Sequence, residues 1–464
     1  MKKNNHLIEK VFLEINTDSI EVANTLKNNI DVFIKNELLR LIEQELELFF
    51  LDKNQVLQIE KLELSIDNIR FQNDTVNTSE LKEIIKNQLS KKLTITKNQL
   101  NPTINKDENG NRILSHSEKK ANTLIYYLTH GEMPWWKTQN DKVDFNSSAL
   151  NSFLDSENFK YQFQKIIDQT IVQERLINQF SNQQLAQIIS TLTHYKKLFP
   201  GNKIILNLSQ ENDFELKKIL WKAVFMYLKN KNANTIIDCY FENIEKFKTS
   251  KVTFEEFISS IDQIVANNSI QIDNREKIAN GLKPETKNEF LLKNNRDEVF
   301  KKGLYVQNAG LIIIHPFLID FLKNCHLINN ENTITDKEMA AHILHYVATK
   351  KEQDYEHAMI FEKFLCGIPI HQPIRREITI DHLHKIQIEE MLQAVVQHWN
   401  ALKSTSTDLL RNEFLQREGK LDIQDGNPRL SVEKKTQDIL LNKIPWNISV
   451  VKIPWIEKLI YTDW

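Results

Sequence analysis

The sequence predicts an α+β protein that is predominantly α-helical, with a small N-terminal α/β unit, a central helical region and a C-terminal mixed compact domain. Near the N-terminus, two segments of alternating apolar residues accompany helical patterns. Residues 146–296 carry helical spacing with two glycines and two prolines, and the last third contains most of the histidines. We therefore expect domains at 1–100, 117–300 and 301–464, with a linker at 101–116.

The N-terminal unit is predicted to combine two strands with two helices. Alternation over 11–15 and over 62–66 indicates the strands. An amphipathic helix is expected over Asp18–Ile42, with its first residue as the cap, and a second helix over Ser79–Leu93. The alternating residues are Val11, Leu13 and Ile15 in the first strand and Leu62, Leu64 and Ile66 in the second.

The central region is predicted to be a series of short, stacked helices. Its first helix is expected to begin at Ser117 as N-cap and to end at Gly131, before the MPWW segment at 133–136. Over 146–296, caps and apolar spacing predict helices of about ten to twenty residues, such as Ser181–Thr193 with a glutamine in the capping-box position. No heptad pattern persists, so a single long coiled coil is not expected.

The C-terminal domain is expected to mix helices with short strands. The clearest helix is Thr335–Thr349, opened by a capping box that uses Glu338, and the clearest extended segment is Arg429–Glu433. Another helix is expected to end at Cys366, because Gly367 suits a C′ position and a proline follows shortly after. The three cysteines have no CxxC or metal-type spacing, so they are expected to be reduced core residues.

The last twenty residues, PWNISVVKIPWIEKLIYTDW, are the most informative segment. They contain two Pro-Trp pairs and end on a tryptophan. Such an apolar tail either closes the core of the last domain or forms a hydrophobic anchor for another subunit, and these two interpretations are compatible. The MPWW segment allows the same choice. The candidate interaction residues are therefore Trp135, Trp136, Trp446, Trp455 and Trp464.

Composition and charge argue against several classes of function. Sixty basic and 62 acidic residues give a net charge of -2, which provides no electrostatic basis for binding nucleic acid. The nine glycines form no GxGxxG or GxxxxGK[ST] loop, so no nucleotide enzyme is expected. No apolar run is long enough to span a bilayer, and the first residues lack the apolar region of a secretory signal. These features predict a cytoplasmic protein without direct membrane insertion.

The histidines raise the question of a metal site. His342 and His345 lie three residues apart on a predicted helix, and His382 and His384 lie two apart. No HExxH motif is present, and amphipathic helices often carry half-buried histidines, so we prefer a structural interpretation. No GxSxG motif indicates a nucleophile either. The sequence predicts a protein that is not an enzyme, with no catalytic residue, metal or cofactor.

Eight strings distributed along nearly the whole chain carry a resemblance to one family. They are HLIEKVFLEI, EKLELSID, LIYYLTHGEMPWW, GLYVQNAGLIIIHPFL, HILHYVATKKE, KFLCGIPIHQPI, HWNALKSTSTDLLRNEFLQREGKL and PWNISVVKIPW. Together they resemble the contractile injection system tape measure proteins, which are found in phage-tail-like particles that fire an inner tube through a contracting sheath.

The resemblance implies a non-enzymatic structural or assembly component that sets inner-tube length. It implies the inner tube protein and the baseplate hub or spike proteins as partners, with self-association as a further option. It also implies a cytoplasmic location during assembly and a place within the particle afterwards. The alternative is an assembly or cargo-loading chaperone that is absent from the mature structure. A single helix over 146–296 would span about 230 Å at ~1.5 Å per residue.

Overall fold

The computed structural model has the predicted fold class, a predominantly α-helical α+β fold. The chain divides into two compact units: unit 1 comprises Met1–Ile125 and Pro134–Phe159, and unit 2 comprises Tyr126–Met133 and Lys160–Trp464. The predicted domain limits stay a prediction. The structure describes residues 6–9, 11–14, 20, 24, 34–48, 55–65, 71–72, 75–76, 78–99, 111–137, 145–189, 191–192, 214–230, 234–250, 252–265, 303–424 and 426–464.

Unit 1 combines helices with two small antiparallel sheets. Its strands are β1 (Gln55–Gln58), β2 (Phe71–Gln72), β3 (Thr75–Val76) and β4 (Arg112–Ser115). Its helices are α1 (Leu39–Leu48), α2 (Thr78–Gln99), α3 (His116–His130) as far as Ile125, α4 (Ser147–Asn151) and the first residues of α5 (Glu157–Ile166). β1 pairs with β4, and β2 pairs with β3. β4 lies inside the predicted linker 101–116, most of which is outside the described residues.

Both helices predicted for this unit are confirmed where the structure describes them. A π-helical turn at Ile34–Leu38 leads into α1, which continues beyond the predicted end at Ile42. Helix α2 extends six residues beyond the predicted end at Leu93, to Gln99. The predicted start at Asp18 lies outside the described residues.

The predicted strand over 11–15 is wrong for the residues that the structure describes. Residues 11–14 have no regular secondary structure, and Ile15 lies outside the described residues. A strand forms only where a neighbouring strand completes its hydrogen bonds. In the described part of the chain, no strand pairs with 11–14.

The predicted strand over 62–66 is also wrong, and here a side chain takes the place of a strand. Gln88 on α2 bonds both main-chain groups of Ser65: its Nε2 donates to the carbonyl O at 2.5 Å, and its Oε1 accepts from the N–H at 3.2 Å. Leu64 packs beside Leu38 and Ile85. The alternating pattern therefore reflects packing against helices, while the strand forms earlier, at β1. The last predicted residue of this strand lies outside the described residues.

Helix α3 begins slightly earlier than predicted. The cap is Ser115, not Ser117: the Ser115 N–H donates to Glu118 Oε2 at 2.8 Å, and the Glu118 N–H donates to Ser115 Oγ at 3.2 Å. This correction follows from the S-x-x-E spacing of a capping box, which Ser117 lacks. The predicted end is confirmed, because Gly131 adopts φ +82° and its N–H donates to the Tyr127 carbonyl at 2.8 Å.

Unit 2 contains most of the helices that the structure describes. They are α5 from Lys160 onward, α6 (Thr170–Gln179), α7 (Asn182–Ile189), α8 (Phe214–Asn230), α9 (Asn234–Glu242), α10 (Ile244–Thr249), α11 (Phe254–Val265), α12 (Leu318–Asn324), α13 (Lys337–Thr349), α14 (Ile360–Leu365), α15 (His382–His398) and α16 (Thr407–Leu410). Helices with 3-10 geometry lie at Ala309–Phe317, Glu356–Met359, Asn400–Leu402 and Thr436–Lys443, and a π-helical turn lies at Arg411–Leu415.

Local signals set two helix starts in unit 2. The predicted capping box before α7 is confirmed, since the Ser181 N–H donates to Gln184 Oε1 at 2.9 Å and the Gln184 N–H donates to Ser181 Oγ at 3.3 Å. The predicted capping box of α13 is wrong. Asp336 is the N-cap and accepts from the Met339 N–H at 2.9 Å, because a carboxylate immediately before the first helical residue can accept from the free N–H groups of the first turn. Glu338 instead pairs with a nearby arginine.

The C-terminal part of unit 2 contains a five-stranded sheet. Its strands are β5 (Leu304–Val306), β6 (Gly419–Asp422), β7 (Arg429–Val432), β8 (Val450–Val451) and β9 (Ile460–Asp463). Their order is β5-β6-β7-β9-β8, with β7 and β9 parallel and the other pairs antiparallel. β7 confirms the predicted extended segment at 429–433. The tryptophan-rich tail therefore supplies the last two strands of this sheet.

One continuous hydrophobic core lies against this sheet, with its buried members all between Leu304 and Ile460. The 3-10 segment Ala309–Phe317 crosses it with residues 309–314 buried. Close approach requires Gly310 there, because a Cβ at this position would lie 1.7 Å from the Phe414 carbonyl O. In the part of the chain that the structure describes, no helix combines the length and apolar composition needed to cross a membrane.

Candidate functional site

Two indole N–H groups anchor the C-terminal tail. Trp446 Nε1 donates to the main-chain O of Ile313 at 2.9 Å, and Trp455 Nε1 donates to the main-chain O of Leu365 at 2.7 Å. Both rings are half-buried and pack against the core cluster. These contacts are those of side chains that close a core, with the one polar group of each ring satisfied. A role for either residue at an interface stays a prediction.

Trp464 packs against the same core, but its indole N–H makes no hydrogen bond. Its Nε1 is buried and has no hydrogen-bond partner. The guanidinium of Arg417 lies 5.9 Å from the ring centroid. Arg417 is itself buried and donates to the carboxylate of Asp438 at 2.7 Å. The ring therefore covers a buried ion pair but leaves one donor unsatisfied.

Trp135 and Trp136 lie in unit 1, in the turn that follows the end of α3. Their ring centroids are 6.0 Å apart with nearly perpendicular planes. Trp136 Nε1 donates to Thr123 Oγ1 at 3.3 Å, and both rings are half-buried. The rings of these two adjacent residues are therefore in contact with each other. Their predicted interface role stays a prediction.

Two further tryptophans, which the sequence did not single out, are fully buried. Trp221 Nε1 donates to Asn182 Oδ1 at 2.8 Å, and Trp399 Nε1 donates to the main-chain O of Leu440 at 3.1 Å. Neither lies beside a proline, and both occupy regular amphipathic positions at or near helices. Their apolar neighbours in the sequence are the signal that could have assigned them to the core.

A fully buried ion pair joins α6 to the 3-10 segment before α14. Arg175 and Glu356 are both 0% exposed, and Arg175 Nε donates to Glu356 Oε1 at 2.5 Å. Arg175 Nη1 and Nη2 donate to the main-chain O atoms of Leu128 and His371, each at 2.6 Å. A Cβ at Gly131 would lie 2.7 Å from Arg175 Nη2. One guanidinium thus bonds three separate segments of unit 2.

Glu356 has a second buried cation. Lys363, 1% exposed, donates from Nζ to Glu356 Oε2 at 3.1 Å and to the main-chain O atoms of Ile370 and Gln372 at 2.6 Å each. Burial lowers the pKa of Lys363, and the charge of Glu356 opposes this shift. The cluster therefore contains two cations and one carboxylate, with main-chain O atoms completing the hydrogen bonds. Such a cluster holds its segments in one arrangement.

A second buried network surrounds His345 on α13. His345 Nδ1 lies 2.9 Å from Glu362 Oε1, and Nε2 lies 3.5 Å from Asp354 Oδ2. Asn308 Nδ2 donates to the same Glu362 oxygen at 2.6 Å. Burial lowers the pKa of His345, but the hydrogen bonds and charges of Asp354 and Glu362 outweigh it and raise the pKa to about 9. The two carboxylates therefore favour the protonated imidazole, with Glu362 in hydrogen-bond contact and Asp354 at ion-pair distance.

Of the four histidines that raised the question of a metal site, His342, His345 and His384 have other partners. His342 Nε2 donates to the main-chain O of Arg375 at 2.6 Å, and burial lowers the pKa of His342. His384 lies beside Asp381, 3.0 Å from its carboxylate. Among the described residues, no group of three or more His, Cys, Asp or Glu side chains is placed to hold a metal ion.

The three cysteines are buried and unbridged, which confirms their assignment as reduced core residues. Burial raises the pKa of Cys239 to about 11 and that of Cys325 to about 12. Burial also raises the pKa of Cys366, which ends α14 before Gly367 at φ +65° as predicted. Thiols with a raised pKa carry little of the nucleophilic thiolate form.

Sequence reasoning did not identify the two buried networks. Their signal is a charged residue within an otherwise apolar helical face. Arg175 lies beside Leu176 and three residues after Val172, which are both buried. Glu362 and Lys363 follow Phe361 in the same way. The signal is weak, because the partner of each charge lies far away in the chain.

Taken together, these buried charges and indole groups hold distant segments of one unit in place. A family model described as contractile injection system tape measure protein matches residues 5–464. Because the match covers nearly the whole chain, this chain belongs to the contractile injection system tape measure protein family, a family of structural components. No curated protein and no solved structure matches the chain.

Proposed function

We propose that this chain is a non-enzymatic component that controls inner-tube assembly in a contractile, phage-tail-like injection system, and that unit 2 acts in its folded form. In this proposal, unit 2 docks at one end of the growing tube, on the inner tube protein or on baseplate hub or spike proteins. The observation that supports this proposal most directly is the fully buried Arg175–Glu356 ion pair, which links α6 to the C-terminal part of the same unit.

The helices between residues 147 and 265 are short, which supports action in the folded form. The longest that the structure describes in this region is α8, with 17 residues, or about 26 Å at ~1.5 Å per residue. Each packs an apolar face inward; α6, for example, buries Val172, Leu176 and Ile177. Merging these helices into one rod would return those faces to water.

Extension would also separate buried charges. If the two segments parted while either charge stayed buried, that charge would be desolvated without its partner, at a cost of about 3–5 kcal/mol. Glu356 has two such cationic partners in unit 2. A ruler formed by one extended helix over 146–296 would have to break the Arg175–Glu356 contact, whereas Glu356 and Lys363 both lie outside that range.

An insertion tests this proposal against the ruler. About 40 helix-forming residues are inserted between Leu192 and Phe214, and tube length is measured by electron microscopy. A ruler would lengthen the tube by about 60 Å at ~1.5 Å per residue. If unit 2 acts folded, the tube keeps its length. A matched insertion between Gln99 and Asn111 controls for the effect of added mass, and both variants must retain the wild-type melting temperature.

The composition of purified particles distinguishes the remaining alternative, an assembly or cargo-loading chaperone. Quantitative mass spectrometry of particles with unchanged tube length is expected to find this chain at a fixed ratio to the baseplate proteins. Its absence from mature particles, together with failed assembly when the chain is deleted, would favour the chaperone. A proportional increase in tube length would contradict folded action and support the ruler.

A further inference from the structure

The outer face of the five-stranded sheet presents two rows of side chains. Alternate residues of each strand face the core, and the register aligns the others across the sheet. The first row, on β5, β6, β7 and β9, consists of Tyr305, Lys420, Ser431 and Asp463. The second row, on β6, β7, β9 and β8, consists of Asp422, Arg429, Tyr461 and Val450. We refer to these eight residues as the outer sheet face.

The outer sheet face is uncovered and carries large apolar side chains. Tyr305 is 56% exposed, Tyr461 is 41% exposed and Val450 is 39% exposed. Leu459, two residues before Tyr461 on the same side of the chain, is 37% exposed. Antiparallel sheets often have one face in water, but tyrosine and arginine together are enriched in the interfaces between proteins. This face therefore has the composition of an interface.

The charges of this face suit a second copy of the same face. Asp422 and Arg429 are direct cross-strand neighbours of opposite sign. The Arg429 guanidinium has no hydrogen-bond or ion-pair partner among the described residues, and Asp422 accepts from the nearby Gln424 N–H at 3.1 Å. Lys420 lies over the Tyr305 ring at 5.6 Å, and Asp463 pairs with Lys434 at 3.4 Å. Both signs are thus present, and a net chain charge of -2 opposes self-association little.

We propose that two copies of this chain associate through their outer sheet faces about a two-fold axis. The axis runs parallel to the strands, between β6 and β7, so that β6 of one copy lies over β7 of the other. This operation places Arg429 opposite Asp422 of the second copy, and it does so twice, as in any isologous contact. It also places Tyr305 opposite Asp463 of the second copy. Face-to-face sheets with nearly aligned strands are a common packing.

The size of the face predicts a weak dimer. Five strands at ~4.8 Å spacing and about three residues of length cover roughly 250 Å². Stable interfaces bury about 800 Å² on each partner. We therefore expect a dissociation constant of about 10–500 μM, and dimers that form at high local concentration, as in a growing particle. The dimer can be measured on the purified chain whatever its role in the particle.

Analytical ultracentrifugation of the full chain over about 5–500 μM tests the dimer. The wild type is expected to shift from monomer to dimer in this range. The substitutions R429D and D422R are each expected to raise the dissociation constant at least tenfold, because like charges then face each other across the axis. An equimolar mixture of the two variants should recover a dimer close to wild-type affinity, because two acidic positions of one copy then face two basic positions of the other.

Two tyrosine substitutions show whether the contact belongs to this face. Y461D is expected to weaken the dimer at least tenfold. Y161D is the matched control, because Tyr161 on α5 is 60% exposed and lies far from the sheet in the sequence; it should leave the dissociation constant unchanged. All variants must keep the wild-type melting temperature.

Several results would overturn the proposal. They are a wild-type chain that stays monomeric to 500 μM, a dimer that tolerates R429D and D422R, a mixture of these variants that fails to associate, and an equal effect of Y161D. If the wild type is monomeric but Y461D fails to enter particles, the face binds a different component, and the two-fold dimer is wrong.

Discussion

The β1–β4 sheet of unit 1 and the five-stranded sheet of unit 2 differ in how their residues are buried. All four residues of β1 are half-buried. In β7, by contrast, buried residues alternate with exposed ones. The larger sheet separates a core face from a water face, and buried charges such as Glu356 and Lys363 lie within the range 304–460 that forms this core. Arg175, on α6, lies outside that range. The comparison indicates that desolvated ion pairs need a large apolar surround and many main-chain acceptors.

The largest effect is expected from Glu356→Gln, which leaves Arg175 and Lys363 as two buried cations without a carboxylate. We expect unit 2 to lose about 3–5 kcal/mol of unfolding free energy. Arg175→Met should cost less, since Glu356 keeps Lys363 as its partner. Urea denaturation followed by tryptophan fluorescence measures both.

The control for these variants is Lys246→Met. It breaks an ion pair with Glu215 in which the two side chains are 52% and 53% exposed, so a change within about 0.5 kcal/mol is expected. If Glu356→Gln were equally mild, the buried cluster would not stabilise unit 2.

A pH effect of a few kcal/mol is expected from His345. Its folded pKa of about 9 lies above the ordinary value of 6.5, so the folded state binds the proton more tightly. The stabilisation is complete below pH 6.5 and is lost as the pH rises through 9. The difference in unfolding free energy between the wild type and His345→Gln, measured from pH 6 to pH 10, should shrink by roughly 3 kcal/mol. A constant difference would show that the imidazole is neutral in the folded protein.

A smaller effect separates the tail tryptophans from one another. Trp455→Phe removes the donor to the Leu365 carbonyl and leaves that acceptor buried, so a loss of about 1–2 kcal/mol is expected. Trp464→Phe removes a buried donor that has no partner, so the change should be within about 0.5 kcal/mol or stabilising. Thermal unfolding of the two variants side by side checks this order. Equal losses would mean that ring packing alone decides the effect.

The smallest effect is expected in unit 1. Gln88→Leu removes both bonds to the Ser65 main chain, but these atoms are exposed and water can replace the amide, so we expect about 0.5–1 kcal/mol. Hydrogen exchange at the Ser65 amide is the sharper measurement and should accelerate. Gln387→Leu on α15, where the amide bonds a neighbouring side chain, should leave that amide unaffected.

Sequence reasoning succeeded where a few adjacent residues contain the whole signal. Ser181 and Gln184 predicted the start of α7, and Gly131 predicted the end of α3, because a capping box and a left-handed glycine act within one helical turn. It failed at 62–66. The same alternation suits a strand or a segment packed on helices, and the choice depended on Gln88, which lies more than twenty positions away.

The same difference between local signals and contacts of distant residues applies to the candidate residues. Composition, apolar spacing and motif strings were enough to establish the helical α+β class and the family, and to mark the five tryptophans as residues that anchor something. Their hydrogen bonds depended on the fold. The Trp455 indole donates to a carbonyl 90 positions away in the chain, whereas the Trp464 indole has no partner. Arg175 and Glu356 are 181 positions apart. No local pattern can encode such a pair, because the desolvation that makes it strong exists only once the core has formed around both charges.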